Sequence, residues 1–320
     1  MKVLVTGGAG FIGSHIVDEL LKEGNDVVIV DNLATGFHHN LNPAATFYPV
    51  SIADRKLKKI FKLERPDAVI HEAAQTVVTR SVHDPIYDAQ VNILGSINLL
   101  NNCVSFNVSK VVYASSCAVY GTPNYVPLDE DHTLNALSPY GVSKQAVEKY
   151  LYTYHNTHGL NYCALRYSNV YGPRQNGSGE AGVVAIFIRQ MLSGQQPKIY
   201  GNGSKTRSYV YVGDVVTANM LALKSGASGV FNIGTSEETS DQRIFNLISS
   251  FCVYDSPPRY VDERPGEIRR MCLDTSRASE VLGWTAAMTL EAGIAITVNS
   301  HHGKVDLVPH PRGYFEQALP

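Results

Sequence analysis

The 320-residue chain lacks several features that would have assigned it elsewhere. No apolar run approaches the ~20 residues of a membrane span, so no membrane partner is expected. There is no excess of charge of either sign: 27 basic and 29 acidic residues leave a formal net charge of −2. That removes the electrostatic footprint of a nucleic-acid or anionic-lipid binder. The five cysteines, Cys103, Cys117, Cys163, Cys252 and Cys272, form no C-x-x-C pair. An odd set without paired spacing fits reduced thiols, and hence the cytoplasm, better than a disulfide framework. The histidine pairs His38-His39 and His301-His302 lie in polar stretches, and no H-E-x-x-H spacing occurs, so no metal is expected. The chain opens directly on an apolar strand, so no signal or transit segment is expected.

What is present begins at that strand. Val3-Leu4-Val5 is a short β-branched run. Gly7, Gly10 and Gly13 then recur every third residue, and Ile12, Ile16, Val17, Leu20 and Leu21 follow at helical spacing. Gly24-Asn25 ends that helix, and a second strand, Val27 to Val30, delivers Asp31. A glycine turn lets backbone N–H groups approach a pyrophosphate, and the helix behind it aims its positive end at the same charge. An acid ending the second strand, near the expected interval of ~20 residues, suits the adenine ribose hydroxyls. It also repels a 2′-phosphate, so the dinucleotide is expected to be NAD rather than NADP.

Further strands are expected at Phe47 to Val50, Asp67 to His71 and Val111 to Ala114. Between them come a lysine-rich helix near Arg55 to Lys62 and a long helix from Asp84-Pro85 through Val91, Leu94, Ile97, Leu100 and Val104. This alternation predicts an α/β fold, a doubly wound parallel sheet of Rossmann type with ligands outside the carboxyl ends of its strands. Those ends carry Gly7, Asp31, His71-Glu72-Ala73-Ala74-Gln75 and Ala114-Ser115-Ser116. Next, Tyr140 and Lys144 stand one helical turn apart and share a face. A phenol with a reference pKa of ~10 is a poor base at neutral pH. An adjacent ammonium is expected to lower it. Ser116 is placed to hydrogen-bond the same substrate oxygen.

Thr6-Gly-Gly-Ala-Gly-Phe-Ile-Gly13, Ser115-Ser116 with Val119-Tyr120-Gly121, Tyr140-x-x-x-Lys144 and Arg166-Tyr167-Ser168-Asn169 occur in that order. Over residues 1 to about 300 this resembles the extended short-chain dehydrogenases/reductases, the NAD-dependent epimerase/dehydratase family, and most of all its UDP-glucose 4-epimerase branch. The resemblance implies that Ser116, Tyr140 and Lys144 are catalytic. It implies that Gly7, Gly10, Phe11, Ile12, Gly13, Asp31 and Asn32 hold the adenosine and pyrophosphate of NAD. Ile52, Ala73, Ala74, Gln75 and Asn92 would line the rest of that cleft, with Tyr140, Lys144 and Tyr167 at the nicotinamide. Ser116, Tyr140, Asn169, Arg207, Arg264 and Met271 would meet the UDP-sugar. Two guanidiniums from separate segments suit a diphosphate, because each binds two oxygens at once.

The implied reaction interconverts UDP-glucose and UDP-galactose through a 4-keto intermediate. Met271, at the position of the family's pocket gate, leaves UDP-N-acetylglucosamine open as a substrate. UDP-glucuronate or UDP-pentose epimerisation, a simple reductase and a non-catalytic NAD sensor are the alternatives. Two departures stand out. Ser51 replaces an aspartate common in relatives at the adenine, and Cys117-Ala118 replace the acids that follow the catalytic Ser/Thr in 4,6-dehydratases. The latter argues against a dehydratase.

Beyond residue 166 a smaller C-terminal α/β substrate lobe is expected. Residues 1–166 form the nucleotide-binding domain, 167–301 the substrate lobe and 302–320 an extension without assigned function. A glycine-rich loop from Gly172 to Gly182 should cover the substrate. Helices are expected at Val183 to Leu192, Val215 to Leu223, Ser276 to Leu282 and Leu290 to Val298. Val230 to Ile233 is expected to return to the main sheet. A homodimer through the apolar helices after Asp84 and Tyr140 fits the family.

Overall fold

Seven strands pair side by side, all in parallel, in this computed structural model, which describes residues 1–177, 182–264 and 267–302. In chain order the first six are β1 (Lys2–Thr6), β2 (Asp26–Val30), β3 (Thr46–Tyr48), β4 (Ala68–His71), β5 (Lys110–Ser116) and β6 (Asn161–Tyr167). The seventh, Gly229–Ile233, joins β6, so the spatial order is Gly229–Ile233, β6, β5, β4, β1, β2, β3. The order reverses beside β1, and such a switch point opens a crevice above the carboxyl ends.

The sheet is buried on both faces, which is why its strands read as continuous apolar runs rather than alternating ones. Val3, Val5, Ile29 and Ile70 face α1 (Phe11–Lys22) and the Val212–Lys224 helix. Leu4, Val28, Val69 and Val111 face the helices Leu57–Glu64, Gly95–Ser105 and Pro139–His158. Full burial of each such side chain contributes roughly 1.5–3 kcal/mol before the entropy of ordering is subtracted.

Three expectations require correction. The strand β6 was not anticipated, although its Arg166-Tyr167 end was singled out as a motif. The helix after Asp84 is not continuous: it runs Pro85–Ala89, then a π-helical turn Gln90–Leu94, then Gly95–Ser105. A separate short helix, Val78–His83, precedes it. The expected return to the sheet occurs at Gly229–Ile233, and the expected helices are found at Val183–Leu192, Val212–Lys224, Ser276–Leu282 and Leu290–His302.

The C-terminal segments build small sheets around the mouth of the crevice. Asn169–Tyr171 pairs in parallel with Tyr209–Tyr211, and Thr206–Arg207 lies between Thr239–Ser240 and Arg270–Met271. The helices Val183–Leu192, Asp241–Cys252 and Leu290–His302 close over Phe187, Ile188, Ile244, Ile248 and Ile294 as a separate core. Residues 178–181 of the expected covering loop and 303–320 of the extension lie outside the described residues. Among the described residues no helix is long and apolar enough to cross a membrane.

Candidate active site

The glycine turn is built for close backbone approach. Gly7 has φ +72°, and a Cβ there would stand 2.7 Å from the Ala73 nitrogen. A Cβ on Gly13 would stand 2.2 Å from the Gly7 oxygen, so any side chain would push α1 away from the turn. No side chain caps the α1 N-terminus at Gly10. The first-turn amides of Phe11, Ile12 and Gly13 therefore face the crevice as an anion site.

Asp31 is held at the end of β2 by two backbone amides. Ala9 N–H donates to Oδ2 at 3.0 Å and Leu33 N–H donates to Oδ1 at 2.8 Å. Burial raises its carboxyl, while those two hydrogen bonds pull it back. The Asn32 side chain is exposed and accepts from Ala34 N–H at 3.1 Å, which shapes the loop at the mouth. Ile52 is buried under Gly95, and its carbonyl accepts from Asn98 Nδ2 at 2.7 Å. Ser51 Oγ accepts from Ala53 N–H at 3.2 Å and so takes part in the same turn. A fixed carboxylate, bare first-turn amides and a cleft without side chains fit a dinucleotide with free ribose hydroxyls.

Gln75 and Asn92 are tied into a hydrogen-bond network of the protein's own. Asn92 Oδ1 accepts from Gln75 N–H at 2.8 Å, and its Nδ2 donates to Gln75 O, Asp88 Oδ1 and Ser143 Oγ at 3.0, 3.2 and 3.0 Å. Gln75 Nε2 donates to Val77 O and Asp88 Oδ1 at 3.0 and 2.9 Å, while its Oε1 accepts from Val77 N–H. Both amides are spent on protein partners. They lock Ala73-Ala74-Gln75 to the helix carrying Lys144, and the π-helical turn is what points Asn92 inward.

That helix, Pro139–His158, starts at Ser138, whose hydroxyl accepts from Gly141 N–H at 3.2 Å, and Pro139 supplies the preset φ of its first turn. Gly141 carries no Cβ because one would stand 2.6 Å from the Ala118 oxygen. This close contact brings Tyr140 to Ser116 at the end of β5. Lys144 Nζ donates to Ala114 O at 2.6 Å and lies 5.8 Å from the Tyr140 ring centroid.

Burial pushes the Tyr140 phenol up to about 12, and the Ser116 hydroxyl is the neighbour that pulls it back. Burial also lowers the Lys144 ammonium, to about 8. The carboxylates Glu72, Asp88 and Glu148 are what keep Lys144 charged.

Across β5, Tyr167 is 5 % exposed, and its hydroxyl donates to Glu72 Oε1 at 2.8 Å and accepts from Asn219 Nδ2 at 2.7 Å. Glu72 was placed at a strand end from the sequence without a role of its own, and Asn219 was not singled out. Asn169 pairs in register with Tyr209, and Met271 pairs with Arg207. Met271 is buried with Cys117, next to Ser116, so the two sides of the cleft meet there. Burial pushes the Cys117 thiol up to about 11, which makes it a packing group rather than a nucleophile. Arg207 Nη1 donates to the Thr206 carbonyl at 2.8 Å, and the Arg264 guanidinium stacks on Tyr200 at 3.9 Å. Tyr209 was also missed. Its hydroxyl is buried beside the Asn169 side chain, which partly offsets the burial that raises the phenol.

Known proteins agree with this geometry. The model of the NAD dependent epimerase/dehydratase family matches residues 3–234. The UDP-glucose 4-epimerase of Mycolicibacterium smegmatis is 43% identical over 311 residues, covering 95% of this chain and 99% of that protein. The crystal structure of UDP-glucose 4-epimerase with UDP-glucose from Thermotoga maritima superposes with a TM-score of 0.94 at 45% identity, covering 96% of this chain and 100% of that one. The Thermus thermophilus UDP-glucose 4-epimerase complex with NAD superposes with a TM-score of 0.90 at 41% identity, covering 95% and 100%. With the glycine turn, Asp31 and the Ser116–Tyr140–Lys144 cluster in place, the chain belongs to the NAD dependent epimerase/dehydratase family.

Proposed function

We propose that this chain is an NAD-dependent 4-epimerase of UDP-sugars, interconverting UDP-glucose and UDP-galactose. The observation that carries the reading is the approach of Tyr140 to Ser116 at the end of β5, with Met271 and Arg207 in register beside them. The glycine turn and Asp31 hold the dinucleotide, Tyr167 borders its nicotinamide, and residues 167–301 form the substrate lobe. Asn169, Arg207 and Arg264 take the nucleotide diphosphate. Tyr140 removes and returns the proton of the sugar 4-hydroxyl, Ser116 hydrogen-bonds that oxygen, and Lys144 supplies the adjacent positive charge. NAD, when bound, supplies the hydride acceptor and donor for the same carbon and is restored in each cycle. Inversion requires the keto sugar to present its other face, which is possible when the diphosphate, not the sugar ring, carries the anchoring contacts.

Proton NMR of the purified protein with UDP-galactose and no added nicotinamide tests this. UDP-glucose anomeric signals are expected to grow at catalytic turnover. No conversion, with NAD confirmed on the protein, would sink the assignment. A second reading, UDP-N-acetylglucosamine as substrate, is favoured by Met271, an unbranched and flexible residue at the gate. The same experiment with that sugar decides it.

A homodimer is part of the proposal. Val82, Ile86, Leu94 and Val142 are more than half exposed on the catalytic helix and the helical segments beside it, an apolar face a monomer would leave in water. Sedimentation velocity should give twice the chain mass, and Ile86→Glu should shift it toward monomer; a wild-type monomer at micromolar concentration would overturn this. Five free cysteines support the reducing cytoplasm as the compartment in this reading.

A further inference from the structure

Glu72 is the first residue after β4, and its position is fixed from several sides. Its backbone N–H donates to Thr6 O at 3.2 Å, and a Cβ on Gly7 would stand 2.9 Å from its carbonyl carbon. It therefore sits directly against the glycine turn, with no side chain between. Its carboxyl reaches across the sheet to β6, where it accepts the Tyr167 hydroxyl. Tyr167 is in turn held by Asn219, a fully buried residue of the Val212–Lys224 helix. An acid deep in a nucleotide cleft is costly unless something cationic offsets it. The direct partner here is a neutral phenol, and Lys144 is the cation that acts on it through space.

We propose that Glu72 sets the charge balance at the nicotinamide end of the cleft: its carboxylate favours the oxidised, cationic dinucleotide over the neutral reduced one. The proposal rests on the reading of Tyr167, Tyr140 and Lys144 as the nicotinamide end. The two cofactor forms differ by one hydride and by one unit of positive charge on the ring. A fixed negative charge therefore stabilises one form and not the other, and it holds resting protein in the state ready to accept hydride. Burial raises the Glu72 carboxyl to about 7 while Lys144 and the Tyr167 hydroxyl pull it down, so a cation entering the cleft shifts it toward the charged form. For an enzyme that must return the hydride, this bias limits protein stranded with reduced cofactor after a keto sugar escapes.

A structural role makes a different prediction, because Glu72 would then matter only as an acceptor for Tyr167. Glu72→Gln keeps an acceptor oxygen and removes the charge, whereas Glu72→Asp keeps the charge. Full-length holoprotein of each is poised at a series of potentials with a redox mediator, and reduced nicotinamide is read by its absorbance. The ratio of reduced to oxidised cofactor at a given potential is expected to rise about tenfold in Glu72→Gln. It is expected to stay within about threefold of wild type in Glu72→Asp. An unchanged ratio in Glu72→Gln overturns the proposal, as does a tenfold rise in Glu72→Asp. Wild-type protein that neither carries nor takes up NAD would instead overturn the cofactor reading beneath it.

Discussion

Tyr140→Phe is expected to lower turnover by about 10²–10⁴-fold, the range for loss of a positioned acid–base group, with the fold and the bound cofactor unchanged. The close Gly141–Ala118 approach that seats the helix involves no phenol atom, so phenylalanine leaves it in place. What is lost is the hydroxyl that Ser116 meets, and with it the proton acceptor for the sugar 4-hydroxyl. The chain's own residues hold this phenol up at about 12, so the substrate-free pocket keeps it protonated at neutral pH. Only a positive charge arriving in the cleft, added to Lys144, can bring the phenolate within reach. The sign of the pH dependence follows. Turnover should fall as pH is lowered, because the base must be ionised, and this acid limb should vanish from the residual activity of Tyr140→Phe. A variant with wild-type turnover, or with the acid limb intact, would remove Tyr140 from the chemistry. Circular dichroism and cofactor absorbance check that fold and loading are preserved.

Much of this site was legible because its chemistry is local. Gly7, Gly10, Gly13 and Asp31 come from one strand–turn–helix–strand unit, and Tyr140 and Lys144 from one turn of one helix. Other parts were hidden for physical reasons. The strand β6 carries Arg166 just before its last residue, and a charge in a short apolar run argues against a buried strand until its partner is known. That partner, Glu148, comes from the preceding helix and is invisible to any reading of the strand by itself. The π-helical turn Gln90–Leu94 inserts one residue into an apolar periodicity that looked continuous. It leaves Leu94 exposed and turns Asn92 inward, the reverse of what a straight helix would give. Glu72 was legible only as a strand-end position, since an acid there is ordinarily solvated, and Tyr167, far along the chain, is what ties its carboxyl into the cleft.

The second large effect concerns Arg166 and Glu148, and it is on stability. Arg166 Nε and Nη2 donate to Glu148 Oε1 and Oε2 at 2.9 and 2.7 Å, and both side chains are 4% exposed. Ser115 Oγ donates to the same carboxylate at 2.5 Å, so the residue beside Ser116 is tied to the catalytic helix. Arg166 Nη1 donates to the Tyr120 hydroxyl at 3.0 Å, which donates to Asn232 Oδ1 at 2.6 Å in the seventh strand. One buried ion pair thus fastens β5, β6, the catalytic helix and the edge of the sheet. Removing a single partner leaves an uncompensated charge in the interior, which costs about 3–5 kcal/mol. Glu148→Gln and Arg166→Met should each lower the unfolding free energy from urea titration by that order. The double variant should lose less than the sum, because it removes both charges together. Additive losses would mean that the two residues contribute independently and that no coupled pair holds Ser116 against the helix. Turnover per folded molecule supplies the second readout: it should fall more in Glu148→Gln, which weakens the Ser115 hydrogen bond directly, than in Arg166→Met, which leaves Glu148 in place.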